Sequence, residues 1–336
     1  MDSYKLREHL FRVQNIHTRT SGQMSFRAVP ALADEFTDKC MSVFATFNRP
    51  FTAAEREDFR SELESIMTEA YICSHRSEVT IAYETALNQP MLWSISSTQR
   101  TIAEAYGGWT GQLFGIQPDA RPAALAAESP DPRRFRILDV GAGGGRNTLA
   151  LARRGHPVDA VEMTSGFAES IRAEATRQSL DVRVIEADIF HAADSLRRDY
   201  AMILVSEVVS EFRTVEQLRA LFELAAQHLA NDGLLVLNTF VTQDGYVPDE
   251  VVRQCAQQAL STLFTPDEIS GAVAGLPLTV LSDHSVWNYE KAHQSDESWP
   301  PTYWYQEWAT GIDIFGSQYG KTPVDLRWLV YRKVDA

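Results

Sequence analysis

The chain has 336 residues, 44% hydrophobic and 23% charged, which is globular composition at a length for one large domain or two ordinary ones. Lys and Arg number 31 against 45 Asp and Glu, a net charge of −14 that opposes broad binding to phosphate backbones and excludes nucleic acid as the expected partner. Cys40, Cys73 and Cys255 are far apart, odd in number and outside any Cys-x-x-Cys pattern, so neither a disulfide framework nor a structural metal is expected.

The chain opens on Met1-Asp2-Ser3-Tyr4-Lys5-Leu6-Arg7-Glu8, which has no apolar stretch of the kind that directs secretion. Neither is there an apolar run long enough to span a membrane, so a cytoplasmic protein is expected. Ala53–Met67 carries Phe59, Leu63 and Ile66 at helical spacing, and 31–47 and 78–88 are weaker helix candidates. Residues 1–125 therefore read as a helical lid or substrate region. Four prolines between 116 and 134 mark a linker, and residues 133–336 read as the second domain.

Beyond the linker, short apolar runs alternate with helical periods. Phe135–Val140, Val158–Val161, Val182–Ile185, Ala201–Val205, Leu234–Asn238, Leu278–Leu281 and Leu326–Tyr331 read as strands. Arg146–Arg154, Gly166–Gln178, Ala192–Arg198, 214–230 and Val251–Leu263 read as helices, with Thr214 and Gln217 as a capping box. This order implies an α/β fold: a Rossmann-like, doubly wound, seven-stranded, mostly parallel sheet plus a helical N-terminal region. The last connection, of about 40 residues, shows no helix long enough for a normal crossover, so the final strand is expected antiparallel.

Ile137-Leu138-Asp139-Val140-Gly141-Ala142-Gly143-Gly144-Gly145-Arg146 follows a strand and opens a helix, where an open α/β sheet binds its ligand. A dinucleotide fingerprint would need glycine at 146, where Arg stands. The spacing acidic-x-Gly-x-Gly-x-Gly is complete in Asp139, Gly141, Gly143 and Gly145. With these residues the sequence resembles the class I S-adenosylmethionine-dependent methyltransferases, specifically over about 135–240 and by topology over 241–334.

The resemblance implies S-adenosylmethionine as cofactor. It implies Glu162, with Met163 after it, for the ribose hydroxyls, Asp188 for the adenine amino group and Ile189 for the ring. It also places the strand ending at Ser206 beneath the transferred methyl. Glu207 and Glu211 after that strand, and His284 beside Asp283, are the candidate bases.

The stretch Ser206-Glu207-Val208-Val209-Ser210-Glu211-Phe212 lacks the Asn/Asp-Pro-Pro-aromatic motif of amino-group methylation on bases, and no cysteine follows a proline as cytosine methylation would need. A small-molecule substrate is therefore expected. Residues 287–331 hold 11 aromatics, including five of the seven tryptophans, together with Glu290, Asp296, Glu297, Glu307, Asp313 and Asp325. By the family topology, an insertion at about 287–324 would lie over the active site. Aromatic faces beside carboxylates suit a cation. The i, i+4 spacing of Trp304 and Trp308 equally suits core packing.

Candidate substrate residues are Tyr303, Trp304 and Trp308, with Tyr106 before a Gly107-Gly108 hinge and Arg76 in Cys73-Ser74-His75-Arg76-Ser77. The reading is methylation of an amino acid or amine-like metabolite at nitrogen or sulfur. Alternatives are C- or O-methylation of a small acid or secondary metabolite, and a non-catalytic cofactor-binding module. No metal and no membrane partner are expected, and a homodimer is an allowed assembly.

Overall fold

The computed structural model describes residues 19–47, 51–86, 91–107, 114–295, 299–317 and 320–335. The chain forms two compact units, one ending at Ile102 and the other starting at Ala103. The N-terminal sequence, Gly108, Asp296, Glu297 and Tyr319 lie outside the described residues.

In the first unit, strand β1 (Arg19–Arg27) is followed by helices α1 (Ala33–Ala45) and α2 (Ala53–Cys73). Strands β2 (Glu78–Ala86) and β3 (Leu92–Thr98) complete a three-stranded antiparallel sheet in the order β1-β2-β3. A capping box starts α2: the Thr52 hydroxyl accepts from the Glu55 N–H, and the Glu55 carboxylate accepts from the Thr52 N–H at 2.9 Å. Phe59, Leu63, Met67 and Ala70 form its buried stripe.

The expectation of a helical region is corrected here by the sheet. The segment 78–88 is taken above as a helix; its described part, 78–86, is β2. Val79 and Ile81 are buried while Thr80 and Ala82 are more exposed, a period of two in a run rich in β-branched residues. Cys40 is buried in α1, which pushes its thiol up to about 12; none of the three cysteines forms a disulfide.

The second unit begins with α3 (Ile102–Gly107) entering from Ile102, then α4 (Ala120–Ala127). There follow β4 (Ile137–Val140), α5 (Arg146–Arg153), β5 (Val158–Glu162), α6 (Ser165–Gln178), β6 (Val182–Glu186) and β7 (Tyr200–Val205). Then come α7 (Val215–His228), β8 (Leu229–Thr242), α8 (Glu250–Gln258), the two-residue β9 (Leu263–Phe264) and α9 (Pro266–Val273). The chain closes with β10 (Leu278–Ser285), α10 (Val286–His293), α11 (Tyr305–Ala309), α12 (Ile312–Phe315) and β11 (Val324–Lys333).

The sheet order is β10-β11-β8-β7-β4-β5-β6, with β9 beside the end of β8. β4 to β8 run parallel and β11 lies antiparallel between β8 and β10, as the missing crossover implies. The expected short helix at 192–198 is a single 3₁₀ turn, Ala193–Ser195.

Both faces of the sheet are covered, as near-continuous apolar strands require. On one face Leu218, Leu221 and Phe222 of α7 and Ile269 of α9 pack on Leu138, Val140, Ile203 and Leu237. On the other, Leu125 of α4, Val286 of α10 and Trp308 of α11 pack on Ile137, Leu204, Phe240 and Trp328.

The aromatic insertion therefore fills a core. Trp308 meets Phe240 edge-on at 5.2 Å and its indole N–H donates to the Leu260 carbonyl at 3.2 Å. Trp304 is half-buried, edge-on to Phe114, whereas Tyr303 is 95% exposed. Glu290 is buried too: it accepts from the Ala120 and Arg121 N–H groups at 2.7 and 3.1 Å, capping α4 from a distant helix, and from the Trp328 indole at 2.9 Å.

Truncating a ring in such a core removes both transfer energy and packing. Trp308→Ala is expected to cost about 3–5 kcal/mol, and Tyr303→Ala to stay within about 0.5 kcal/mol. Urea midpoints check this, and equal midpoints for wild type and Trp308→Ala would remove Trp308 from the core.

Candidate active site

The carboxyl ends of β4, β5, β6 and β7 gather the predicted cofactor residues. After β4 the chain turns through Gly141, whose N–H donates to the Val161 carbonyl at 2.8 Å and ties the loop to β5. Gly141 has φ +66°, and a Cβ there would lie 2.3 Å from a methyl of Val208, so glycine is required on both counts. Gly143 has φ +52° and faces open space, a place where a ligand can approach the backbone. Gly145 caps α5.

Glu162 ends β5 buried, accepting from the Gly143 N–H at 2.8 Å and the Thr164 N–H at 2.7 Å. A carboxylate has about four acceptor sites, so these two bonds orient it without exhausting it. Asp188 caps the 3₁₀ turn Ile189–His191 through one oxygen, 2.8 Å from the Phe190 N–H. Ile189 is buried in the core with Leu138 and Val161, and Met163 is 37% exposed. Asp139 is buried below the loop and accepts from the Thr148 hydroxyl at 2.5 Å. Its role is thus to hold the start of α5 to β4.

The end of β7 differs from the expectation. Glu207 is buried and ion-paired with Arg146, and its other oxygen lies 3.4 Å from the amide of Asn238. Its N–H donates to the Asn238 side-chain oxygen at 2.6 Å, with the backbone at φ +55°. The carboxylate expected to face the methyl as a base is instead locked to a guanidinium.

Arg146 also pairs with Asp119, at 3.0 Å for one of two bonds, and Asp119 accepts from Ser206 at 2.7 Å and from the amide of Asn147 at 2.9 Å. Asp119, Arg146, Asn147 and Asn238 were not singled out from sequence. The available signal was a polar Arg-Asn pair at the first turn of a helix whose next positions are apolar.

Glu211 ends the short turn Val209–Glu211 and accepts from the Tyr106 hydroxyl at 2.7 Å, so these two predicted residues do meet. His284 does not join them. It is exposed on the edge strand β10, separated from β7 by β11 and β8, and Asp283 pairs with Arg327 at 2.7 Å rather than orienting the imidazole. Arg76 belongs to the first unit, buried there with its carbonyl accepting from Arg27 at 2.7 Å. Among the described residues no cluster of three or more His, Cys, Asp or Glu is placed to hold a metal, and no helix is long and apolar enough to cross a membrane.

Residues 137–233 match the model of a family described as "Methyltransferase domain". With the strand order and glycine loop above, the second unit carries a class I S-adenosylmethionine-dependent methyltransferase domain. Over 111 residues, 32% of the chain, it is 27% identical to the ubiquinone biosynthesis O-methyltransferase of Rickettsia prowazekii (strain Madrid E). That match spans 41% of the relative's length.

Two crystal structures share the fold with a TM-score of 0.50. One is a provisionally named sarcosine dimethylglycine methyltransferase of Galdieria sulphuraria, 14% identical, covering 69% of this chain and 97% of its own. The other is the geranyl diphosphate C-methyltransferase of Streptomyces coelicolor A3(2), 16% identical with the same coverage.

Burial lifts the carboxyl group of Asp139 to about 7, outweighing the Thr148 hydrogen bond. The folded chain then holds a proton that the unfolded chain releases near pH 4. Stability contributed by this group is present at low pH and lost as pH rises toward 7. Urea midpoints of wild type are expected to fall between pH 5 and 7.5, and Asp139→Asn to flatten that fall. An identical slope in the variant would show that Asp139 does not titrate there.

Proposed function

We propose that this chain transfers the methyl group of S-adenosylmethionine to an oxygen of a small metabolite, with an activated carbon as the alternative acceptor. The observation that carries the reading is the Tyr106–Glu211 pair beside the end of β7. An oxygen or carbon acceptor arrives protonated and needs a base at the moment of transfer, whereas a neutral amine does not. Glu211 accepts a hydroxyl proton in hydrogen-bond geometry; a substrate hydroxyl in place of Tyr106 would meet the same oxygen. The O-methyltransferase resemblance over 111 residues supports the same choice.

The nitrogen or sulfur reading drew on the aromatic and acidic stretch 287–331. Trp308, Tyr305, Trp328 and Glu290 of that stretch are buried and serve packing and capping, so their support for a cationic substrate falls away.

The bound cofactor supplies a methyl group already activated on a sulfonium. The rest is the chain's own work. The open face at Gly143 would let the ligand reach backbone, Glu162 would hold the ribose hydroxyls through its remaining acceptor sites, and the second oxygen of Asp188 would accept from the adenine amino group. Alignment of acceptor and methyl supplies rate through proximity, on the order of 7–11 kcal/mol for well-oriented reactions.

Calorimetry with S-adenosylhomocysteine is expected to show one site, weakened about tenfold or more in Glu162→Ala and Asp188→Ala, a loss of about 1.4 kcal/mol each. Unchanged affinity in both would overturn the cofactor assignment. Transfer of a labelled methyl to a panel of phenols, enols and amines should favour the first two, and Glu211→Gln should suppress it. Labelling of amines alone would reverse the order of the readings.

A further inference from the structure

Arg146 stands where the dinucleotide pattern would have its third glycine, and the structure gives that side chain a definite task. It is the first residue of α5, directly after the loop. Its guanidinium bonds to two separate stretches, 117–119 and 206–207. One nitrogen donates to the Gln117 carbonyl at 3.2 Å and to Asp119; the other donates to Asp119 at 3.0 Å, reaches Ser206 at 3.5 Å and pairs with Glu207. The side chain is mostly buried, at 14% exposure, and its carboxylate partners are more so.

These contacts continue back to the glycine loop. The pair with Arg146 and the Asn238 side chain together hold Glu207 at φ +55°, a conformation a non-glycine residue keeps only where its surroundings impose it. The next residue, Val208, presses a methyl into the space that a Cβ on Gly141 would occupy. Arg146, Glu207, Val208 and Gly141 therefore form one chain of contact from the start of α5 to the loop's first glycine.

We propose that Arg146 is a positioning residue. It fixes the end of β7 against the glycine loop, and cofactor affinity depends on it through the placement of that loop. The inference rests on the cofactor reading above. It requires the planar fork of arginine, because one group must chelate Asp119 and reach Glu207 at once; a lysine ammonium carries the charge but cannot span both.

The test is calorimetric titration of the full chain with S-adenosylhomocysteine, paired with thermal unfolding in its absence. Arg146→Lys keeps the buried charge, so its melting temperature is expected within about 5 °C of wild type. Its affinity is expected to fall about tenfold. A role confined to charge neutralisation would leave Arg146→Lys binding like wild type, and that result overturns the proposal. Glu207→Gln should also weaken binding, and the double variant should bind no worse than Arg146→Lys, since both changes break one path. Additive losses would show two independent effects and equally overturn it.

Should Arg146→Lys fail to fold, Glu207→Gln decides alone: it keeps the side chain's shape, and unchanged affinity sinks the idea. A wild type that does not bind S-adenosylhomocysteine defeats the cofactor reading itself. Binding by wild type with unchanged variants defeats only this proposal.

Discussion

The site depends on one buried guanidinium. Arg146 sits between Asp119, from the segment entering α4, and Glu207, from the end of β7. Taking three charges out of water is expensive, and such a group survives only where geometry and further hydrogen bonds compensate. Here Ser206, Asn147 and Asn238 provide them. Removing the guanidinium leaves two buried carboxylates without their cation, a loss typically of about 3–5 kcal/mol. The crevice at the carboxyl ends of the parallel strands is thus held by a polar network set on an apolar sheet. Its members come from residue 117 to residue 238, so the site forms only when the central strands are in register.

Several of the chain's acidic side chains are buried. Glu207, Asp139 and Glu290 all have carboxyl groups raised by burial, and the buried Tyr305 hydroxyl is raised by burial and by Glu207. Part of the chain's acidity therefore lies inside, where it orients backbone and caps helices. Glu290 shows this plainly: an acidic residue in an aromatic stretch reads as a cation trap, yet its oxygens hold the first turn of α4 and the Trp328 indole. Glu211, near the end of β7, instead accepts from the Tyr106 hydroxyl.

The glycine loop and the strand-end carboxylates follow local rules, and these were legible. Asp139, Gly141, Gly143, Gly145, Glu162 and Asp188 stand at fixed distances along β-α-β units, whose geometry is set within about 30 residues. The alternation of strands and helices also fixed the parallel order and the reversed last strand. In the N-terminal unit local reading was weaker. The run 78–86 carries alternating apolar residues whose period of two outweighs its charged neighbours, and only pairing with β1 and β3 makes it a strand.

The sequence by itself determined the class of the second unit, because a turn needing φ > 0 beside a buried strand admits few residues and leaves a readable spacing. Tertiary structure alone decided which partners the charged residues meet. Glu207 and Glu211 are four residues apart, and the sequence favoured Glu207 as the base. One is held by a guanidinium 61 positions earlier and the other by a tyrosine 105 positions earlier. The cost of burying a charge depends on partners that only folding brings within reach, and no local pattern records which carboxylate will find which.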